Sequence, residues 1–181
     1  QVGLVSEADV IIYLAGFQPQ VDDAVAQEGG DRAFDVTDVI PLLDGGHQHD
    51  DEAKRHRNHA DKDPHVWLDP IRLATIAERL AERLADVDPD HAADYTARAA
   101  ALRAELETLD QEYQQGLGTC QRREIVVSHA AFGYLADRYG LEQISVAGLT
   151  PDDEPSAQRI ADVIEKARAH GATTIFFESA V

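Results

Sequence analysis

Two histidines occupy positions at which a folded chain could bring them together. His129 directly follows a predicted strand at residues 124–127, and His65 lies just ahead of the start of a predicted helix. In open parallel sheets, ligands bind beyond the carboxyl ends of the strands, which is where this spacing places His129. Either histidine alone is equally well explained as a structural residue. As a pair they predict a transition-metal site, because imidazole is a good ligand for zinc, copper, iron and nickel.

A second group of histidines lies in a segment without large apolar side chains. Residues 44–65 contain no Val, Ile, Leu, Phe, Trp or Tyr but five of the eight histidines of the chain. With nothing to bury, residues 45–61 are expected to form an exposed surface loop. Such a tract binds transition metals weakly by composition alone, or is simply a solvated linker. Four of these five histidines lie within residues 45–61, namely His47, His49, His56 and His59, and the fifth is His65.

The spacing of the histidines does not match common catalytic motifs. There is no H-E-x-x-H pair of a metalloprotease helix. The Ser128-His129 dipeptide is not a nucleophile elbow, because Val126 and Ala130 stand where G-x-S-x-G requires glycine. Glycine-rich phosphate loops and C-x-x-C pairs are also absent from the sequence.

The net charge of the chain argues against two classes of binding partner. Thirty-four Asp and Glu residues against 16 Lys and Arg residues give a net charge of −18. Nucleic acid and anionic lipid both require clustered positive charge, so neither is an expected partner. An acidic surface instead raises the local concentration of cations.

The chain ends and the single cysteine indicate an internal fragment of a longer protein. The sequence begins with Gln1, contains no Met and stops three residues after a predicted strand. Cys120 is its only cysteine. In a reducing compartment a lone cysteine is usually a buried thiol. In an exported protein it suggests a disulfide partner outside the fragment, and the composition leaves both interpretations open.

Strands and helices alternate along the chain. The β-branched run at residues 10–14 is typical of a strand buried on both faces. Alternation with short connections favours an α/β fold with parallel sheets. The strands are predicted at residues 10–14, 34–37, 124–127, 143–146 and 173–178. The helices are predicted at residues 18–27, from 70 onward, at 88–115, at 130–139 with Ser128 as a cap, and at 155–170 with Ile160, Val163, Ile164 and Ala167 facing inward.

The longest helix is predicted to join two lobes. At roughly 1.5 Å per residue it would reach about 40 Å, which is longer than one small lobe is wide. The predicted domains are an N-terminal α/β lobe at 1–88, incomplete at its start, an interlobe helix at 89–118, and a truncated C-terminal α/β lobe at 119–181. In this division His65 belongs to the first lobe and His129 to the second, so they would meet in a cleft between the lobes.

The segments around both histidines resemble the motifs of the zinc-specific solute-binding proteins of ABC importers, the ZnuA-like group. Residues 63–70 read Asp-Pro-His-Val-Trp-Leu-Asp-Pro and are similar to the family's DPHxWLDP motif. Residues 127–134 read Val-Ser-His-Ala-Ala-Phe-Gly-Tyr and resemble its second histidine motif. Residues 8–17 and 148–156 also resemble family segments, and a histidine-rich insertion before DPH is a family trait. The match spans nearly the whole chain.

The resemblance implies zinc ligands at His65 and His129. Relatives specific for manganese or iron carry Glu at the position of His129, so histidine here favours zinc. The family's first histidine ligand would lie upstream of residue 1, and a carboxylate ligand would follow residue 181. Glu178 resembles a family acid near the cleft and is expected to orient a ligand histidine. Cys120 stands where some members form a disulfide with a cysteine near the C-terminus.

The function implied by the resemblance is that of an extracytoplasmic receptor and not of an enzyme. It would capture Zn²⁺ between two Rossmann-like lobes, joined by one rigid helix, and pass the ion to an ABC permease. A zinc chaperone would be a second partner, and the protein is expected to be a monomer, either periplasmic or anchored outside the cell as a lipoprotein. The histidine-rich loop would raise the local zinc concentration or sense saturation.

Two other functions use the same residues. A metal-dependent hydrolase would use His65 and His129, but it needs an open coordination position, a general base and a substrate pocket. Only scattered acids in the sequence hint at these. A zinc buffer or chaperone would act through the histidine-rich loop alone, with several weak sites in place of one tight site.

Overall fold

The computed structural model describes residues 2–45, 62–150 and 154–177. These residues form two compact units. The first comprises residues 2–42 and Pro70–Asp110, and the second comprises residues 43–45, 62–69, 111–150 and 154–177. No helix among the described residues is both long and apolar enough to cross a membrane.

The first unit contains a two-stranded parallel sheet and most of the helices. Strands β1 and β2 pair in register, with Ile11 opposite Ala33 and Tyr13 opposite Asp35. The Ile12 side chain is exposed, so the prediction of a strand buried on both faces is wrong, and β1 has only one covered face. The elements in chain order are α1 (Val2–Glu7), β1 (Ile11–Tyr13), α2 (Pro19–Glu28), β2 (Ala33–Asp35), α3 (Val36–Val39), α4 (Pro70–Val87) and the greater part of α5 (Ala92–Gly118).

The end of β2 shows how a side chain overrides an alternating pattern. The alternation predicts a strand that continues to Thr37, but β2 stops at Asp35. The Asp35 carboxylate accepts a hydrogen bond from the Thr37 backbone N–H at 2.9 Å, which is the usual N-cap arrangement. The chain therefore turns into α3 at Val36.

Helices α4 and α5 are joined within the first unit by an ion pair. The Arg103 guanidinium on α5 binds the Glu78 carboxylate on α4 through two nitrogens. Ala74, Ile76 and Ala81 of α4 are buried, so this amphipathic helix contributes apolar side chains to the core of the unit. The rest of α5, from residue 111 onward, belongs to the second unit.

The second unit is built on a three-stranded parallel sheet in the order β4-β3-β5. Val126 of β3 stands opposite Ile144 of β4 and Ile175 of β5, and its side chain packs with Ile144 and with Val163 of α7. The elements are β3 (Glu124–Val127), α6 (Gly133–Tyr139), β4 (Glu142–Ser145), α7 (Ala157–Ala169) and β5 (Ile175–Phe176). The parallel sheets and the long helix confirm the predicted α/β fold class.

Two helices of the second unit differ from the sequence prediction. Helix α7 begins at Ala157, because Ser156 caps it by accepting a hydrogen bond from the Arg159 N–H at 3.1 Å. Val163 of α7 is buried, but Ile160 and Ile164, which the spacing predicts to face inward, are exposed. The start of α6 also differs and shapes the loop that carries His129.

Candidate metal centre

His65 and His129 lie against each other in the second unit. Their ring centroids are 5.4 Å apart and their planes are inclined by 63°. Both residues are buried, His65 with 7% and His129 with 4% of its surface exposed. The sequence predicts one histidine in each lobe, whereas the structure groups residues 62–69 with β3 and α6, so the two imidazoles belong to one compact unit.

The spacing of the two rings fits a shared tetrahedral metal ion. With a Zn–N bond of about 2.1 Å and about 1.1 Å from nitrogen to ring centre, two imidazoles on one tetrahedral zinc have centroids about 5.2 Å apart. The observed separation of 5.4 Å agrees with that figure. The centroid separation is therefore compatible with two imidazoles on one ion.

The chain around His65 holds its ring in one orientation. The Asp63 carboxylate accepts two hydrogen bonds through Oδ1, from the His65 backbone N–H at 2.9 Å and from the His65 Nδ1 at 2.7 Å. A carboxylate is an acceptor only, so Nδ1 carries the hydrogen and the lone pair of the neutral ring lies on Nε2. A ligand histidine is typically oriented in this way by a carboxylate behind it. Nε2 of His65 is thus the ring nitrogen that could accept a metal.

His129 lies in a loop whose hydrogen bonds reach across the unit. The sequence predicts a helix that opens at Ala130 with Ser128 as its cap, and this prediction is wrong. The Ala130 N–H donates to the Gly148 carbonyl at 2.7 Å, and the Phe132 N–H donates to the Gln143 side-chain oxygen at 2.6 Å. Because these amides bind distant acceptors, residues 128–132 stay in a loop and α6 begins at Gly133.

One ion pair links the His65 segment to α6, and one ring contact lies within the segment itself. Asp69, at the end of the same motif, forms an ion pair with Arg138 of α6, with 3.4 Å between Oδ1 and Nη1. Trp67 lies edge-on to the His65 ring at a centroid distance of 5.4 Å, with part of its indole exposed. His65 is therefore in contact with both an indole and a second imidazole.

Asp63 and Tyr134 also support this centre and were not predicted from the sequence. Asp63 could have been recognised, because an Asp two residues ahead of a histidine can bond that residue's backbone N–H in an Asx turn. Tyr134 binds main-chain groups of the His65 segment from 71 residues away in the chain. No local pattern signals such a contact.

The remaining predicted site residues lie outside the part of the chain that the structure describes. They are the four histidines of the predicted loop, His47, His49, His56 and His59, and the acid at the predicted end of the last strand, Glu178. Within residues 2–45, 62–150 and 154–177, no group of three or more His, Cys, Asp or Glu side chains is placed to hold a metal ion. Within those ranges the side chains therefore do not complete a four-ligand zinc site.

The other described histidines and Cys120 are on the surface. His91 and His170 are exposed, as predicted, and each pairs with a carboxylate, Asp88 at 2.7 Å and Glu124 at 2.8 Å. Cys120 is also exposed, so it is not the buried thiol expected of a reducing compartment.

Comparisons with known proteins identify the family of the chain. A family model described as "ZnuA: Zinc-uptake complex component A periplasmic" matches residues 1–181. The zinc-binding protein AdcA of Streptococcus pyogenes serotype M6 is 42% identical over 132 residues, 73% of this chain and 25% of that protein. The high-affinity zinc uptake system protein ZnuA of Bacillus subtilis is 31% identical over 182 residues, 96% of this chain and 56% of that protein.

A solved structure extends the similarity to three dimensions. The Zn(II)-bound ZnuA-like domain of Streptococcus pneumoniae AdcA superimposes with a TM-score of 0.74 at 30% identity, covering 98% of this chain and 62% of that one. The chain thus spans less than two thirds of the length of these relatives. The family model covers the whole chain, and this confirms the resemblance seen in the two histidine motifs. The chain belongs to the ZnuA family of periplasmic zinc-uptake components.

Proposed function

We propose that the protein is an extracytoplasmic receptor that captures Zn²⁺ and delivers it to an ABC permease. The observation that carries the proposal is the pair of buried imidazoles 5.4 Å apart, one of them oriented by a carboxylate. The names of the relatives, a zinc-binding protein and a zinc uptake protein, support the same ion. The net charge of −18 suits a protein that collects a divalent cation.

The two histidines bind the ion without making or breaking covalent bonds in a substrate. His65 binds through Nε2, because its Nδ1–H is engaged by Asp63. The Asp63 carboxylate behind the ring offsets part of the charge that the cation brings into a buried site. Zinc prefers four ligands in a tetrahedral arrangement, so two imidazoles leave two further positions to be filled.

Several further assignments extend the proposal. Histidines 47, 49, 56 and 59 would bind zinc weakly and raise its concentration near the centre, while Glu178 would orient a ligand histidine. Cys120 is exposed, which suits a thiol that forms a disulfide with a cysteine elsewhere in a longer protein. The receptor would act as a monomer that is periplasmic or lipid-anchored, with a permease as its main partner and a zinc chaperone as a second one.

The experiment that tests this function is a zinc titration against a competing chelator. We expect one tight site in the purified protein, and its loss in the His65→Ala/His129→Ala variant. The matched control is His91→Ala/His170→Ala, which removes two exposed imidazoles and should keep the site. Deletion of residues 45–61 should also keep it.

The same titration separates the receptor from the zinc buffer. Several weak and equal sites that survive the loss of His65 and His129 but disappear with residues 45–61 would indicate a zinc buffer. A tight site that survives in the His65→Ala/His129→Ala variant would contradict the receptor proposal.

A further inference from the structure

The hydroxyl of Tyr134 forms hydrogen bonds with the backbone at the start of the His65 segment. Tyr134 is only 1% exposed, and its hydroxyl donates to the Asp63 carbonyl at 2.8 Å while it accepts from the Leu43 N–H at 2.9 Å. The Asp63 N–H donates directly to the Leu43 carbonyl at 2.9 Å. In an ordinary antiparallel pair, two facing residues exchange both hydrogen bonds directly. Here one bond is direct and the tyrosine hydroxyl mediates the other.

The neighbouring residues continue this pairing. Asp44 and Lys62 form an antiparallel bridge, and the Lys62 Nζ lies 2.5 Å from the Asp44 carboxylate. Tyr134 thus holds the backbone of Asp63 at the point where the chain enters the His65 segment. All three groups that meet there, one hydroxyl, one N–H and one carbonyl, have partners.

Gly133 leaves space for the side chain of Asp63. A Cβ atom at position 133 would lie 2.5 Å from Oδ2 of Asp63, and real Cβ atoms do not approach an oxygen so closely. The Asp63 carboxylate cannot simply turn away, because its Oδ1 accepts both hydrogen bonds from His65. Only glycine at position 133 leaves room for the carboxylate behind the His65 ring.

We propose that Gly133 and Tyr134 are positioning residues of the zinc site. Tyr134 holds the backbone of Asp63, Gly133 makes room for its carboxylate, and Asp63 orients the His65 ring. Neither residue contacts the ion. The inference rests on the proposed zinc-binding function, and it assigns a role to two residues at the start of α6 that carry no metal-ligating group.

The expected effects follow from the loss of support behind a metal ligand. Gly133→Ala displaces the carboxylate, and losses of this kind typically weaken metal affinity by about 10–100-fold. Tyr134→Phe keeps the ring but leaves the Leu43 N–H and the Asp63 carbonyl without the hydroxyl, and should weaken zinc binding by about 10-fold. The matched controls are Gly116→Ala, where a Cβ meets nothing within 4 Å, and Tyr95→Phe, which removes a hydroxyl bonded to Asp88 in the first unit.

A double-variant cycle distinguishes positioning from a general loss of stability. Asp63→Ala removes the carboxylate that a Cβ at position 133 would displace, so Gly133→Ala should cost no further zinc affinity in that background. A merely structural effect of Gly133→Ala would weaken binding equally with and without Asp63. Tyr134→Phe, measured alongside, keeps the proposal testable if Gly133→Ala does not fold.

The measurement is zinc affinity by chelator competition on the whole protein, with the melting temperature of the metal-free form as the check on folding. The inference is supported by weaker binding in Gly133→Ala that disappears in the Asp63→Ala background, with both controls at wild-type affinity. Wild-type affinity in Gly133→Ala or in Tyr134→Phe, when the His65→Ala/His129→Ala variant has lost the site, overturns this inference alone. A tight site that survives the loss of both histidines overturns the proposed function and this inference with it.

Discussion

Among the residues that the structure describes, the aspartate–histidine pairs His65–Asp63 and His91–Asp88 have equal length but differ in burial. The separation from Nδ1 to the carboxylate oxygen is 2.7 Å both for His65 with Asp63 and for His91 with Asp88. The first pair is enclosed, with 9% and 5% of the side chains exposed, and the second is open, with 63% and 40% exposed. The enclosed pair faces the His129 ring.

The comparison shows that the contact itself does not identify a metal ligand. In the open pair, water competes for both groups, and the carboxylate also accepts a hydrogen bond from the Tyr95 hydroxyl. In the enclosed pair, the carboxylate keeps one ring nitrogen occupied and leaves the other available beside a second imidazole. Burial and the second ring, rather than the aspartate, make His65 a candidate ligand.

The largest expected difference between the pairs is in zinc affinity after loss of the histidine. His65→Gln removes a proposed ligand, so zinc binding should weaken by more than the ~100-fold that marks the upper range for losing a supporting group. His91→Gln should leave the affinity unchanged. Chelator competition on the two variants measures this difference directly. Equal losses in both would show that burial does not separate the pairs.

The next effect comes from the two aspartates. Asp63→Asn keeps the shape of the side chain but removes the charge that orients and polarises the His65 ring, so zinc affinity should fall by about 10–100-fold. Asp88→Asn makes the same chemical change in the open pair and should not alter zinc affinity. If Asp63→Asn bound zinc as tightly as wild type, the carboxylate would have no part in preparing the ligand.

Much of the fold could be predicted from the sequence. Residues 124–127 are a β-branched strand both in the pattern and in the structure, because a buried parallel strand needs apolar residues on both faces. The start of α6 could not be predicted, because the amides of Ala130 and Phe132 bind acceptors on distant parts of the chain. Periodicity also places Ile160 and Ile164 on an inward face, but it cannot tell which part of that face is covered.

Sequence reasoning found the two histidines of the candidate site but not the residues behind them. The sequence singles out His65 and His129 through their positions near a strand end and a helix start, and the structure brings their rings together. The role of Asp63 is local, over two residues, and was within reach of sequence reasoning. Tyr134 bonds Leu43 across 91 residues of the chain, so only the folded structure reveals it.

The smallest expected effect is the pH dependence of stability that the open pair confers. Hydrogen bonds from the Tyr95 hydroxyl and then from His91 hold the pKa of Asp88 below its usual value of 3.8. Because the pKa is lower in the folded state, the unfolded state binds more protons between the two pKa values. The stabilisation is therefore present at pH above the unfolded value and is lost as the pH falls through the folded one.

Asp88→Asn should thus lower the free energy of unfolding at pH 7 but have a smaller effect near pH 3, as measured by urea unfolding at both pH values. Asp90→Asn, which removes one negative charge from the same turn, is the matched control. An equal cost for Asp88→Asn at both pH values would contradict the assignment, because the stabilisation would then not depend on the ionised carboxylate. The zinc affinity of Asp88→Asn at pH 7 should stay at the wild-type value. This result would separate the role of the His91–Asp88 pair, which is in stability, from that of the His65–Asp63 pair, which is in zinc binding.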